Sequence, residues 1–321
     1  MRTTTTFLLK PIPPFRLDLT VWALRRRPSN LIDRWDGQTY RRVLVLNGQP
    51  VEAAVVHPGS PDSPHLQVTF TGQRITSNLK SAAVKSLARL LGLRINLSDF
   101  YWRAATDAKL NPLAERFRGM KPPRFPTVFE TLVNAIACQQ MSLSLGILLL
   151  SRMTEKFGPA MNGSIESVHA FPRPEDLANR EAADFRLLGF SRAKGESLIA
   201  LARTCASGQI DLEALDGLSN EAVVERLLKL KGVGRWSAEY ALLRGLGRLN
   251  VYPGDDVGAR NNLQRWLKLK KPLDYDGVRR ITARWQPYAG LVYFHMLLDR
   301  LDAAGHRTPK DQTTGGANDL G

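Results

Sequence analysis

Cysteine is scarce. The 321 residues hold two, Cys138 and Cys205, which excludes a disulfide framework and points to a reducing compartment. Five scattered histidines (His57, His65, His169, His295 and His306) offer no metal-ligand spacing, so no zinc site is expected. No apolar run approaches the roughly 20 residues of a membrane span. The start, MRTTTTFLLKPIPPF, has too short an apolar core for a secretory signal. Acidic residues are also short: 30 Asp and Glu against 45 Lys and Arg leave a net charge of +15 and a pI near 10.1. That surplus favours a polyanionic partner, although a basic, fully solvated surface has the same composition. The apolar share of 43% suits a globular chain, and the length allows two or three domains.

Residues 1–108 read as an α+β layer. Leu17 to Leu24 has the pattern of a short helix ending at Arg25-Arg26-Arg27-Pro28, where the arginines either touch phosphate or form a solvated basic helix end. Tyr40 to Leu46 and Pro50 to Val56 flank Asn47-Gly48, a strong hairpin signal. His65 to Thr71 alternates as a half-buried strand does, and Ser77 to Leu91 carries Leu79, Ala83, Val84, Leu87 and Leu91 on one helical face. From 109 to 305 the periodicity is helical. Thr127 with Glu130 predicts a capping box opening a helix through Cys138, followed by a break at Gln139-Gln140-Met141-Ser142 and a helix over Leu143 to Phe157. Further helices are expected at Pro174–Asn179, Glu181–Leu187, Ser191–Ser207, Leu212–Leu215, Asp274–Trp285 and Gln286–Ala303. Residues 306–321, rich in Gly, Thr, Asn and Asp, have the composition of a disordered tail. The fold class is therefore mainly α, a helical bundle behind a strand-rich N-terminal domain.

The densest information lies between Leu228 and Arg260. Glu221 to Leu230 reads as a helix, Lys231-Gly232-Val233-Gly234 as a tight turn, and Arg235 to Leu246 as a second helix. A Pro/Gly loop, Tyr252-Pro253-Gly254, then ends in Asp255-Asp256, 22 positions after Gly234. Glycines let the backbone approach another molecule, and the second helix starts with unpaired N–H groups that suit a phosphate. Glycines also end helices for purely structural reasons, and either aspartate can simply cap the next helix.

This helix, L-x-G-V-G turn, helix, Pro/Gly loop and aspartate resembles the helix-hairpin-helix (HhH-GPD) DNA glycosylase superfamily, most of all the DNA-3-methyladenine glycosylase II type. The resemblance extends to Phe129-Glu130, to Val133–Ser142 (VNAIACQQMS) and to the N-terminal FLLKPIPPFRLDLTVWAL. It implies a helical HhH glycosylase bundle and excision of alkylated purines from double-stranded DNA. Asp256 would be the catalytic carboxylate, with Asp255 capping or orienting beside it. Trp236 and Tyr240, four apart on one helix face, would line the base pocket. There an aromatic face attracts a positively charged alkylpurine by a cation–π term of about 0.5–2 kcal/mol. Gln140, with Gln139 beside it, corresponds to the wedge that fills the gap left by a flipped base. The amides of Gly232, Gly234 and Arg235, around Val233, would grip phosphate, helped by the Arg235 side chain, with Lys231 near phosphate as well. No cofactor is implied, and no metal is required beyond a monovalent cation that the carbonyls of Leu228, Leu230 and Val233 can hold.

Two departures from the family pattern matter. Bifunctional relatives carry a Schiff-base lysine two positions after the last turn glycine, and here that position is Trp236, which implies a monofunctional enzyme using water. The last helix has Leu297 where some alkylation-type members carry a pocket aromatic; Tyr293 and Phe294 lie close. Two cysteines also exclude the four-cysteine iron–sulfur cluster of some members. Glycosylases for deaminated or oxidised bases, and a non-catalytic DNA-binding hairpin protein, remain open as alternatives. A monomer is expected, cytoplasmic in a bacterium or archaeon and nuclear in a eukaryote.

Overall fold

The computed structural model describes residues 2–161 and 168–307. Most of the tail expected at 306–321 lies outside them. A five-stranded antiparallel sheet, β1 (Thr3–Leu9), β2 (Arg34–Trp35), β3 (Thr39–Leu46), β4 (Gln49–Val56) and β5 (Leu66–Gly72), runs in the order β1-β5-β4-β3-β2. Helices α1 (Leu17–Arg25) and α2 (Ser77–Leu90) cover it. The bundle follows: α3 (Ser98–Ala105), α4 (Asn111–Arg116), α5 (Val128–Cys138), α6 (Leu143–Phe157), α7 (Pro174–Ala178), α8 (Ala182–Leu187) and α9 (Arg192–Ala206). It closes with α10 (Asn220–Leu228), α11 (Arg235–Arg244), α12 (Val257–Leu267), α13 (Tyr275–Thr282) and α14 (Ala289–Ala303), with single 3-10 turns at Glu213–Gly217 and Ala283–Trp285.

The local causes are visible. Asn47 (φ 49°) and Gly48 (φ 79°) both take the left-handed backbone that a two-residue hairpin loop demands, so β3 and β4 pair from Leu46↔Gln49 outward. In β5 alternate residues Leu66, Val68, Phe70 and Gly72 are buried. The run that sequence reading left out is β1. Its threonines do not alternate with apolar residues, and it becomes a strand because its whole length pairs with β5 at the sheet edge. Three apolar cores result. One joins the sheet, α1 and α2; a second lies among α5, α6, α9 and α10; a third joins α1, α3, α4, α12 and α14. Helix α11 supplies residues to all three: Tyr240 to the first, Ala238, Ala241 and Leu242 to the second, Leu243 to the third.

The expected Thr127–Glu130 capping box is only half formed. Thr127 accepts from the Glu130 amide, but the Glu130 carboxylate turns away to take both contacts of Arg42 on β3, at 2.5 and 2.7 Å. Arg42 also donates to Asp33 at 2.7 Å, which accepts from the Tyr40 hydroxyl at 2.7 Å. A buried guanidinium is worth more to Glu130 than the Thr127 backbone amide that a capping box would offer it. Two carboxylates share that one cation out of water, and burial pushes the Glu130 carboxyl up to about 6. The network ties sheet to bundle.

His295, on α14, is fully buried between the rings of Phe100 and Phe117, with Nδ1 2.9 Å from the Leu291 carbonyl. Burial lowers its pKa to about 4. The folded state therefore binds fewer protons than the unfolded chain between pH 6.5 and 4. This contribution to stability is complete above pH 6.5 and is lost as the pH falls toward 4, about 3 kcal/mol in all. Thermal unfolding across this range should show His295→Leu losing clearly less stability on acidification than the wild type; parallel curves would contradict this account.

Candidate active site

The hairpin turn rests on one glycine more than the other. Gly232 sits at φ +80°, and a Cβ there would lie 2.5 Å from the Ser197 hydroxyl on α9. Gly234 is extended (φ −102°, ψ −178°), caps α11, and a Cβ there would meet nothing. Val233 is buried and pins the turn to the core, its amide donating to the Leu230 carbonyl at 3.1 Å. That bond occupies part of the Leu230 carbonyl, one of the three named for a monovalent cation. The amides of Gly232, Gly234 and Arg235 donate to no acceptor among the described residues, which leaves three N–H groups at a helix start for an anion.

The side chains around the turn depart from expectation. Lys231 is exposed, with its ammonium 3.0 Å from the Glu196 carboxylate. Arg235 stacks on the Tyr275 ring (4.5 Å) and pairs with Asp255 at 3.3 Å. Gln139 points inward and donates to the Gly232 carbonyl (2.8 Å) and the Ser237 hydroxyl (2.9 Å), bracing the hairpin instead of facing a ligand. Gln140 is exposed, and its left-handed backbone (φ 52°) projects it from the loop. Lys194 anchors that loop through the carbonyls of Ala137 and Gln139, at 2.9 and 2.7 Å.

Asp256 takes both places that the sequence divided between two aspartates, the helix cap and the cavity wall. It is the N-cap of α12: one carboxylate oxygen accepts from the Ala259 amide at 2.8 Å. The other accepts from the Trp236 indole N–H at 3.2 Å. Asp255 caps nothing and instead holds Arg235, because the chain enters α12 one residue later than a cap at 255 requires. The loop before them is held from behind. Glu239 accepts from the Gly254 amide (2.9 Å) and the Tyr275 hydroxyl (2.6 Å), and burial raises its pKa. Gly254 is obligatory, since a Cβ would stand 2.7 Å from the Tyr275 ring. Neither Glu239 nor Tyr275 was found from the sequence. The available signal was a glutamate set among the core-suited Ala238, Tyr240, Ala241, Leu242 and Leu243.

Trp236 and Tyr240 come together with ring centroids 5.5 Å apart, and with Asp256 they line a cavity of about 460 Å³. From α14, Tyr293, Met296 and Leu297 face it, whereas Phe294 lies in the core against Arg244. Burial raises the phenols of Tyr240, Tyr252 and Tyr293, so all three stay protonated. Of the arginine run at 25–27, Arg25 and Arg26 are neither a phosphate patch nor a solvated end, whereas Arg27 is partly exposed and donates to the Ser144 hydroxyl at 3.0 Å. Arg25 is buried, donating to the carbonyls of Trp35 and Pro28. Arg26 enters the cavity wall and donates to the Tyr240 hydroxyl and to Asn134, both at 2.9 Å. Among the described residues no cluster of His, Cys, Asp and Glu could hold a metal ion.

Residues 133–287 match the family model described as HhH-GPD superfamily base excision DNA repair protein. The chain is 34% identical over 195 residues to DNA-3-methyladenine glycosylase 1 of Schizosaccharomyces pombe, covering 60% of this chain and 78% of that one. Among solved structures, it is similar to a 3-methyladenine DNA-glycosylase from Archaeoglobus fulgidus, with a TM-score of 0.78 and 26% identity over 93% of this chain and 99% of that one. It is also similar to a Schizosaccharomyces pombe 3-methyladenine DNA glycosylase solved in complex with abasic DNA, with a TM-score of 0.54 and 27% identity over 62% and 95% of the two chains.

The two turn glycines should separate in thermal unfolding. Gly232→Ala meets both a left-handed backbone and Ser197 and should cost about 1–3 kcal/mol. Gly234→Ala should stay within about 1 kcal/mol of wild type. Equal costs would show that the turn is not held as described.

Proposed function

The chain belongs to the HhH-GPD superfamily of base excision DNA repair proteins, and we propose that it is a monofunctional DNA N-glycosylase for alkylated purines of the 3-methyladenine type. It flips the damaged nucleotide from duplex DNA and hydrolyses its N-glycosidic bond. The observation that carries this reading is the Asp256 carboxylate, fixed by two N–H donors at the wall of an aromatic cavity.

Duplex DNA hides its bases, so the target nucleotide has to leave the stack. The free amides of Gly232, Gly234 and Arg235 take a backbone phosphate, and Gln140 fills the vacated space. The base enters beside Trp236 and Tyr240, which places its deoxyribose toward Asp256. As the bond between C1′ and the base breaks, positive charge grows on the sugar, and a fixed carboxylate stabilises it. Both Asp256 oxygens are already oriented by Ala259 and Trp236, so little reorganisation is needed when that charge develops. The same carboxylate aligns water for attack at C1′. Alkylation makes the base a good leaving group, so one carboxylate suffices and His306, among the residues lining the cavity, is not required as an acid.

Incubation with alkylated and undamaged duplexes, scored by released free base, tests the reading. Asp256→Asn should keep its cap and fold while base release falls by a factor on the order of 10²–10³. Asp255→Asn loses only a half-exposed ion pair and should alter stability by less than about 1 kcal/mol. Near-normal turnover by Asp256→Asn would remove that residue from the mechanism.

Trp236 occupies the position of the Schiff-base lysine, and the nearest lysine in sequence, Lys231, is tied to Glu196. Borohydride reduction with lesion DNA should therefore trap no covalent adduct, and the abasic strand should remain unnicked. A trapped complex that disappears on Lys231→Ala would overturn the monofunctional assignment.

A further inference from the structure

Two buried arginines stand behind the aromatic wall of the cavity, and neither contacts a carboxylate. Arg26, 5% exposed, spends its two terminal nitrogens on the neutral oxygens of Tyr240 and Asn134, and its Nε has no partner. Arg244 is wholly buried. It donates to the Ala23 carbonyl at 2.6 Å, and its guanidinium lies 5.6 Å from the centre of the Tyr240 ring. Arg27, Arg300 and His306 also line the cavity, while Asp256 is its single carboxylate among the described residues. Burying a guanidinium without a counter-charge is expensive, and an apolar side chain of similar volume would normally be the more stable choice. The charge is also arranged directionally. Trp236 is bonded to Asp256, Tyr240 lies one helical turn further along α11, and Arg26 meets the far end of Tyr240. The cavity is thus negative at its sugar end and positive at its base end.

We propose that Arg26, backed by Arg244, sets a fixed positive field at the base end of the cavity that opposes a bound cationic alkylpurine and is relieved as its glycosidic bond breaks. This rests on the glycosylase reading above. An N3- or N7-alkylated purine enters the site as a cation. When the bond from C1′ breaks, its electron pair goes to the base nitrogen, and the base leaves neutral. The positive charge passes to the deoxyribose beside Asp256. Water then bonds to C1′, and its proton passes to Asp256 and on to solvent. The repulsion is present with the substrate bound and absent once the base is neutral, so it raises the bound substrate more than the transition state. The aromatic wall is correspondingly less suited to holding a cation than two bare rings are. Tyr240 already engages Arg244, and Trp236 alone offers its face without a guanidinium beside it. An uncharged lesion such as hypoxanthine feels no such repulsion. Arg26 thereby sets the relative turnover of charged and uncharged bases.

The test is single-turnover and steady-state excision from duplexes carrying 7-methylguanine (cationic) or hypoxanthine (neutral). It compares wild type, Arg26→Gln, which keeps a donor without the charge, and Arg26→Lys, which keeps the charge. For 7-methylguanine, Arg26→Gln should lower KM and kcat together, kcat by roughly tenfold or more for one unit charge at a partly screened site. Arg26→Lys should recover most of kcat. For hypoxanthine the Gln variant should show no fall in KM. An equal loss of kcat on both lesions with unchanged KM, or an Arg26→Lys variant as slow as Arg26→Gln, would reduce Arg26 to a structural part and overturn the proposal. Should Arg26→Gln not fold, wild-type inhibition decides. Free neutral 3-methyladenine should inhibit better than the permanently cationic 3,9-dimethyladenine, and the reverse order overturns the proposal. A wild type that releases no alkylated base fails the glycosylase reading itself, a result separate from all of these.

Discussion

Helix α11 has no face to give to water beyond its first two residues. From Ser237 to Arg244 every residue is buried, because the helix runs through the meeting point of three apolar cores. Such a helix normally excludes charge. Here it carries Glu239 and Arg244, and each is accommodated differently. Glu239 finds two hydrogen-bond donors in the Pro/Gly loop and α13; Arg244 finds two carbonyls of α1 and the faces of Phe125, Tyr240 and Phe294. The cavity forms where the partly exposed Trp236, just ahead of that buried stretch, meets the buried Tyr240.

The buried glutamate also joins two parts of the site that the chain separates. Glu239 fixes Gly254 and Tyr275; Tyr275 supports Arg235; Arg235 holds Asp255, the neighbour of Asp256. The hairpin start and the loop bearing the carboxylate are therefore one mechanical unit. In the proposed reaction, a phosphate that draws Arg235 away from Asp255 would act on the neighbour of Asp256, coupling backbone grip to sugar chemistry through a single side chain.

Much of this was legible in the sequence where local chemistry decides. Asn47-Gly48 dictates its own turn, and the spacing of the L-x-G-V-G turn, Pro/Gly loop and aspartate places Trp236, Tyr240 and Asp256 around one cavity. Long-range choices were not legible. Glu130 looked like a capping partner because nothing local announces Arg42, 88 positions earlier. Asp255 and Asp256 are indistinguishable until the entry angle of α12 is known. Gln139 is drawn inward by a carbonyl 93 positions away. Arg26 was hidden among three adjacent arginines, and its burial depends on a helix end meeting Tyr240, 214 positions on.

That last contact bears on how the chain can be dissected. Residues before 109 look like a separate layer, and a shortened protein beginning there would retain the hairpin, the loop and both aspartates. It would also lack the carbonyl of Ala23 that takes Arg244, the guanidinium at the cavity wall, and the apolar cover over Tyr240 supplied by α1 and the sheet. Cutting there would open the central helix to solvent along one side and leave a buried arginine exposed with its acceptors, the carbonyls of Ala23 and Leu24, gone. The bundle is thus not a self-sufficient catalytic core to which the N-terminal layer has been added, and the minimal working unit of this protein includes the segment that looks most dispensable.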